Sequence, residues 1–218
     1  MRKILLLITL LVVILAGCSQ EKEKNDKEKV KGNDEEVTLK VASLIPPMTE
    51  ILELIKPKLA EQSINLEIVV LGDNVQPNTA LAAEEVDANF FQHVPYMEEF
   101  NRNNDANLVP IIPIYFANYG TYSKEYNSMD ELPEEAVIAI ANDVSNIDRS
   151  LALLAQHNVI TLKEKTGSYY TKADILENPK NYKFEEVDLL MLARMYDDAD
   201  AVVMTPAYAA PLNLTPKS

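Results

Sequence analysis

Two short stretches of the sequence contain side chains that are suited, together, to bind a small molecule. The first is NDVSNIDRS, at positions 142–150, where Arg149 falls in the first turn of a predicted helix that follows a buried strand. A guanidinium beside the free amides of a helix N-terminus favours an anion there, and it can grip a carboxylate through two parallel hydrogen bonds. A surface arginine paired with Asp143 or Asp148 explains the same spacing equally well.

The second stretch is DANFFQHVPY, at positions 87–96, which combines three aromatic rings and an imidazole at a predicted strand-to-helix corner. The carboxyl ends of strands are where α/β proteins bind ligands, and His93 and Tyr96 lie at this corner. Neighbouring strand residues point to opposite faces, so we expect one of Phe90 and Phe91 in the core. A single histidine is also a common structural residue, so residue chemistry alone leaves the role of His93 open.

The elements that must position these side chains alternate between strand and helix. Strands are predicted at 37–45, 64–72, 87–91, 136–143, 160–164 and 199–205, and helices at 48–62, 77–87, 95–106, 145–158 and 188–198. Such alternation predicts an α/β protein with largely parallel sheets.

Three local features refine this prediction. Ser145 and Asp148 have the spacing of a capping box, which would start the helix at Ser145. Pro57 is expected to kink or split the helix at 48–62. Two prolines in the segment 108–123 predict an extended edge or crossover there rather than a central strand.

Composition excludes several classes of protein. The chain has 218 residues and a net charge of −14, which disfavours nucleic acid as a partner. Its five glycines are too widely separated for a dinucleotide-binding or P-loop fingerprint. The two histidines, His93 and His157, lack the spacing of a metal site, and no nucleophile elbow occurs. We therefore predict no enzymatic activity, no metal and no cofactor.

The N-terminus is typical of a targeting segment. Arg2 and Lys3 precede an apolar run at 4–16, which predicts a signal peptide over 1–17. A buried helix or a membrane anchor is the alternative. The run ends in LAGC, which resembles a bacterial lipobox and implies a lipid on Cys18, the only cysteine. Residues 18–36 are then a polar, flexible tether that holds the protein on the extracytoplasmic face of the cell membrane.

The motifs resemble those of a known family. DNVQPNTALAAEEVDANFFQHVPYMEEFN at 73–101, IAIANDVSNIDRSLALL at 138–154, LENPKNYKF at 176–184 and the lipobox are similar to segments of methionine-binding lipoproteins of ABC importers, the NlpA-type lipoproteins. The resemblance covers the mature chain. It implies an α/β, two-lobe periplasmic-binding-protein-like (type II) fold, with the first lobe at 37–118 plus 205–218 and the second at 119–204. Because relatives continue past the equivalent of Ser218, the first lobe is expected to be incomplete.

The resemblance also implies a ligand site. It implies that Phe90 packs inward while Phe91, His93 and Tyr96 form an aromatic slot for the ligand side chain. It also implies that Arg149 binds the ligand's carboxylate, with Asn146 beside it. The family's asparagines that hold the ligand's amino group are replaced by Thr205 and Ala207, and a tyrosine of the family pattern is replaced by Asn74. Asn118 and Tyr119, together with Tyr115, are candidates to compensate, so the ligand need not be methionine.

The implied function is capture of an amino acid, methionine or a related one, or of a short peptide, for import. The partners would be an ABC permease and its ATPase, and the membrane through the lipid anchor. The alternative is a surface lipoprotein without a transport role, acting as an interaction module or representing a decayed, truncated paralogue.

Overall fold

The computed structural model describes residues 36–215. The predicted signal peptide, Cys18 and the tether up to residue 35 lie outside the described residues, so their predictions stay untested. Among residues 36–215, no helix combines the length and apolarity that crossing a membrane requires.

A three-stranded parallel sheet occupies the N-terminal part of the described chain. Its strands are β1 (Val37–Ser43), β2 (Ile64–Val70) and β3 (Ala88–Asn89), in the order β2-β1-β3. The strands alternate with helices α1 (Met48–Ala60), α2 (Gln76–Ala82) and α3 (Val94–Asn104). Val41, Leu52 and Leu66 form the buried core between this sheet and α1, with Phe90 packed against it.

A four-stranded sheet follows, with the order β4-β9-β5-β8. Its strands are β4 (Gly120–Tyr122), β5 (Val137–Ala141), β8 (Lys183–Val187) and β9 (Ala201–Met204). β5 is parallel to both β8 and β9, whereas β4 is antiparallel to β9. The helices of this part are α4 (Val144–Gln156), α5 (Leu192–Met195) and α6 (Pro206–Ala209), and β6 (Thr161–Leu162) and β7 (Ile175–Glu177) form a small antiparallel pair.

The core of the four-stranded sheet has two sides because side chains alternate along β5. Ile138 and Ile140 point to the side covered by α4, where Leu151 and Leu154 are fully buried. Ala139 and Ala141 point to the other side, against residues of α5 and α6. The amphipathic α4 is thereby held firmly on the sheet. It begins shortly after the carboxyl end of β5, and Arg149 lies in its second turn.

The α/β class and the mostly parallel pairing are confirmed. The predicted helix at 188–198 is wrong in extent, since only a 3-10 turn at Leu189–Met191 and the short α5 form there. Pro57 lies within a single helix and does not split it, because its position on the exposed side of α1 leaves the unpaired carbonyl accessible to water. α2 ends at Ala82 rather than Asp87, and β7 and β8 were not predicted.

The segment between α3 and β4 runs without regular secondary structure from residue 106 to 119, as the prolines predict. Several of its apolar side chains face solvent: Val109 is 76% exposed, Ile111 85%, Ile112 68% and Phe116 95%. The three-stranded sheet therefore ends at β3, and no strand from 106–119 extends it.

The two larger sheets draw on separate ranges of the chain, 37–89 and 120–204. After Thr205, Tyr208 and Ala209 pack against the four-stranded sheet. The lobe boundaries near residues 118 and 205 stay a prediction.

Candidate functional site

Asp143 organises the start of α4. Its carboxylate oxygen Oδ1 accepts hydrogen bonds from the Asn146 N–H (3.0 Å) and the Ser145 hydroxyl (2.7 Å), and Oδ2 accepts from the Asn146 side-chain amide (2.7 Å). Asp143 is thus the N-cap, and the helix begins at Val144. The predicted capping box of Ser145 and Asp148 is wrong, because the helix has already begun at Val144 and the Ser145 hydroxyl donates to Asp143.

Arg149 lies partly buried on the first turns of α4. Its Nη2 donates to the Ala117 carbonyl oxygen at 2.6 Å, and its guanidinium carbon is 4.2 Å from the centroid of the Tyr119 ring. Within residues 36–215 it forms no salt bridge, so neither Asp143 nor Asp148 pairs with it. A guanidinium has five N–H donors, and most of them are left for another acceptor.

Tyr119 links Arg149 to Asn146. The Tyr119 hydroxyl donates to the Asn146 side-chain oxygen at 2.5 Å while its ring stacks on the guanidinium. Burial raises the pKa of the Tyr119 phenol, and the nearby positive charge of Arg149 opposes that rise. Tyr119 is therefore a neutral hydroxyl, and it holds the positions of Asn146 and Arg149 relative to one another.

The aromatic residues of the second stretch lie together, as predicted. The rings of Phe91 and Tyr96 meet edge to face with centroids 5.9 Å apart, and His93 lies 6.4 Å from Tyr96. The Tyr96 hydroxyl donates to the Asn74 carbonyl oxygen at 2.9 Å. Phe90 instead packs on the core of the first sheet, which confirms its predicted role.

His93 joins this aromatic group to the α4 group. The pKa of His93 is lowered to about 4, first by burial and then by the positive charge of Arg149, while the negative charge of Asp143 opposes both. Its Nε2 atom is buried and has no hydrogen-bond partner among the described residues. The charges of Arg149 and Asp143 thus act on His93, which links the two stretches singled out in the sequence.

Tyr208 belongs to the same neighbourhood, although its sequence position did not single it out. Burial raises the pKa of its phenol, with further contributions from Tyr119, Tyr115 and Asp143. Thr205 is buried immediately before α6, which carries Tyr208, whereas Asn118 is exposed. A tyrosine two residues into a short helix has no local signal that distinguishes a site residue from a core residue.

Part of the DANFFQHVPY stretch is structural in a way that sequence reasoning missed. Asn78 is fully buried and exchanges two hydrogen bonds with the Gln92 amide, at 2.7 and 2.6 Å, and the Asn89 amide also donates to it at 2.8 Å. The Asp87 carboxylate accepts from the Lys40 backbone N–H at 2.7 Å. These bonds fix the corner after β3, and with it the aromatic group, against α2 and β1.

Two surface cavities lie beside rather than within this cluster. One of about 580 Å³ runs along β4 and α4, and Tyr119 is the predicted site residue that lines it. Another of about 420 Å³ is lined by residues of α4 and β6 together with Tyr170. Neither cavity is lined by Phe91, His93, Tyr96 or Arg149.

A parallel α/β chain with an arginine and aromatic rings gathered at the carboxyl ends of two sheets belongs to the class of two-lobe substrate-binding proteins. A family model described as NlpA lipoprotein matches residues 39–218. The chain belongs to this family of lipoproteins.

The chain is similar to several known proteins over most of its own length and about three quarters of theirs. The chain is 37% identical over 217 residues to the methionine-binding lipoprotein MetQ of Bacillus subtilis (strain 168), covering 98% of this chain and 76% of that protein. A nutrient-binding protein from Burkholderia cenocepacia bound to methionine is 36% identical with a TM-score of 0.78, covering 82% of this chain and 76% of that one. Lipoprotein Tp32 from Treponema pallidum has a TM-score of 0.80 at 33% identity, covering 83% of this chain and 75% of that one.

Proposed function

We propose that the protein is a lipid-anchored substrate-binding protein that captures methionine or a related amino acid for an ABC importer. The observation that carries this proposal is the Arg149 guanidinium. It is stacked on Tyr119, and its positive charge helps to lower the pKa of His93. It forms no salt bridge with any carboxylate of residues 36–215. A cation in that position favours the carboxylate of a ligand, through charge-assisted hydrogen bonds of about 1.5–3 kcal/mol each.

The remaining parts of the proposal follow from this role. Phe91, His93 and Tyr96 supply apolar and polarisable walls for a ligand side chain, and burial of a thioether chain contributes about 1.5–3 kcal/mol. Asn146, Tyr119 and Thr205 supply polar groups for the ligand's main-chain atoms. Asn118, being exposed, would contact the ligand only at the mouth of the site.

Anchoring and partners complete the proposed function. A lipid on Cys18 would hold the protein at the outer face of the cell membrane, where a permease and its ATPase receive the ligand. The methionine named for the Burkholderia cenocepacia structure and for the Bacillus subtilis relative makes this amino acid the first ligand to test. Binding and release without chemical change is the whole of the proposed activity.

Calorimetric titration of a soluble form comprising residues 21–218 with L- and D-methionine, and then with the other amino acids, tests the proposal. We expect heat of binding with one stoichiometric site. Arg149→Ala should weaken binding by at least about tenfold, since loss of one charge-assisted hydrogen bond corresponds to about that factor.

Arg194→Ala, at an exposed arginine of α5, is the matched control and should bind as the wild type does. Thermal unfolding establishes that each variant is folded. A folded wild-type chain that gives no heat with any amino acid or short peptide contradicts the proposal and favours the surface-lipoprotein alternative. An Arg149→Ala variant that melts early but binds normally would make Arg149 a structural residue.

A further inference from the structure

The loop between β6 and β7 reaches across to α3. The Tyr169 hydroxyl in this loop donates to the Pro95 carbonyl oxygen at 2.9 Å, and Arg102 Nη2 donates to the same hydroxyl at 3.0 Å. Arg102 is also paired with Glu99, one turn earlier on α3. The Tyr169 hydroxyl is therefore engaged both as a donor and as an acceptor, which fixes its position on α3 at two points.

The same loop is tied to α4 at its other side. The Asp148 carboxylate oxygen Oδ1 accepts from Lys165 Nζ at 2.5 Å and from the Tyr170 backbone N–H at 2.7 Å. Lys165 Nζ also lies 4.7 Å from the centroid of the Tyr170 ring. These contacts hold the loop against the first turns of α4, so that Tyr169 is fixed in position relative to this helix.

The loop therefore bridges the two helices that carry the two halves of the candidate site. Its anchor on α4, Asp148, is the residue before Arg149. Its contact on α3, Pro95, is the residue before Tyr96. Separation of α3 from α4 by hinge motion would have to break the two hydrogen bonds of Tyr169.

We propose that Tyr169 is a latch that keeps α3 and α4 together and so slows release of a bound ligand. This inference rests on the proposed function, because it concerns the residence time of the ligand. The latch lies at the partly exposed rim, where a hydrogen bond is replaced by water without repacking of a core. Such contacts open and close more easily than core contacts, which suits a group that gates release.

Stopped-flow measurement of methionine dissociation from residues 21–218 and from Tyr169→Phe tests the latch. Phenylalanine keeps the ring and removes both hydrogen bonds. We expect the dissociation rate constant to rise about three- to tenfold, equivalent to about 0.7–1.4 kcal/mol at 1.4 kcal/mol per factor of ten. The association rate constant should stay within about twofold, because interface changes act mainly on dissociation.

Tyr170→Phe is the matched control. It removes a neighbouring hydroxyl, but the contact of Tyr170 with Asp148 is made by its backbone N–H. This variant should dissociate as the wild type does. Unfolding midpoints of both variants should lie within about 2 °C of the wild type, as for other partly exposed substitutions.

Three outcomes separate the two proposals. Faster dissociation in Tyr169→Phe alone supports the latch. Unchanged dissociation from a ligand-binding Tyr169→Phe chain overturns the latch and leaves the proposed function intact. A folded wild-type chain that binds nothing overturns both, and hydrogen exchange of the α3 amides in the ligand-free proteins then reports whether the bridge itself restrains α3.

Discussion

At the scale of single residues, the site is a cluster of groups whose protonation is controlled by burial. His93 stays neutral because burial and the Arg149 charge both disfavour a second positive charge beside it. Tyr96 and Tyr119 keep their protons because burial raises the pKa of each phenol. At neutral pH, Arg149 is therefore the single full positive charge among these four residues, and in the proposed function it is the group that binds the ligand's carboxylate.

The buried imidazole makes stability depend on pH in a defined window. Folding lowers the pKa of His93 from 6.5 to about 4, so between these values the unfolded chain holds more protons on this residue. The free energy of unfolding is therefore undiminished by this residue at neutral pH, and it falls as the pH drops from about 6.5 to about 4. We expect a loss of about 3 kcal/mol, at 1.36 kcal/mol per pKa unit.

Urea unfolding at several pH values between 4 and 7 measures this effect as the difference between wild type and His93→Gln. The free energy of unfolding of the wild type should fall relative to that of His93→Gln as the solution becomes more acidic. His157→Gln changes an exposed histidine at the end of α4 and should follow the wild-type curve. Parallel curves for wild type and His93→Gln would show that His93 does not change protonation on unfolding.

At the scale of elements, the corner that presents the aromatic residues is held by buried amides. Asn78 on α2, Asn89 on β3 and Gln92 in the loop after β3 bond to one another, so two elements and a loop meet through one closed set of hydrogen bonds. Such a set favours one arrangement of the chain, because each buried amide group left without a hydrogen-bond partner destabilises the fold by about 1–3 kcal/mol. It positions Phe91, His93 and Tyr96 without contacting a ligand.

Asn78→Ala should therefore lower the free energy of unfolding by about 2–4 kcal/mol, since it removes three side-chain hydrogen bonds from the buried amide set. Chemical denaturation measures the change. Asn65→Ala, at an exposed position of β2, removes the same group outside the network and should cost less than about 0.5 kcal/mol. Equal losses in the two variants would rule out the buried amide set as a stabilising feature.

Elements with strong local patterns were predictable from the sequence, and those formed by tertiary pairing were not. The apolar run of β5 and the apolar face of α4 are visible in the chain, and both elements form as predicted. β8 reads KFEEV, whose charged residues give no strand pattern, and it forms only because β5 offers it an edge.

The same distinction holds for the site. Arg149, His93 and Tyr96 were identifiable from residue type, local spacing and family resemblance. Whether Arg149 forms an ion pair with Asp148 was not predictable, because that carboxylate is occupied by Lys165, a residue 17 positions away. Tyr208 and the Asn78 amide set were missed for a similar reason, since both depend on contacts between distant segments.

At the scale of the whole molecule, charge and apolar surface are segregated. The chain carries a net charge of −14, yet no charged side chain occurs between Asp105 and Lys124. Within that stretch Ile111 and Phe116 are 85% and 95% exposed. An exposed apolar run without charge is a site of self-association at high concentration.

The double substitution Ile111→Lys and Phe116→Lys should therefore reduce self-association while leaving stability within about 0.5 kcal/mol, because both side chains are already in water. Sedimentation velocity over a range of concentrations measures the change. Gln62→Lys with Gln156→Lys adds the same charge at exposed polar positions and should have the smaller effect. If both pairs act equally, net charge rather than this segment governs association.

The strand order of the second sheet has a consequence for biosynthesis. β9, the last strand of the described chain, lies in the middle of that sheet, between β4 and β5. Until the ribosome has added Ala201–Met204, β4 has no neighbour and β5 is paired on one edge alone. Synthesis of β9 thus completes this sheet, and an arrested nascent polypeptide lacking those four residues would expose both unpaired edges to chaperones and proteases.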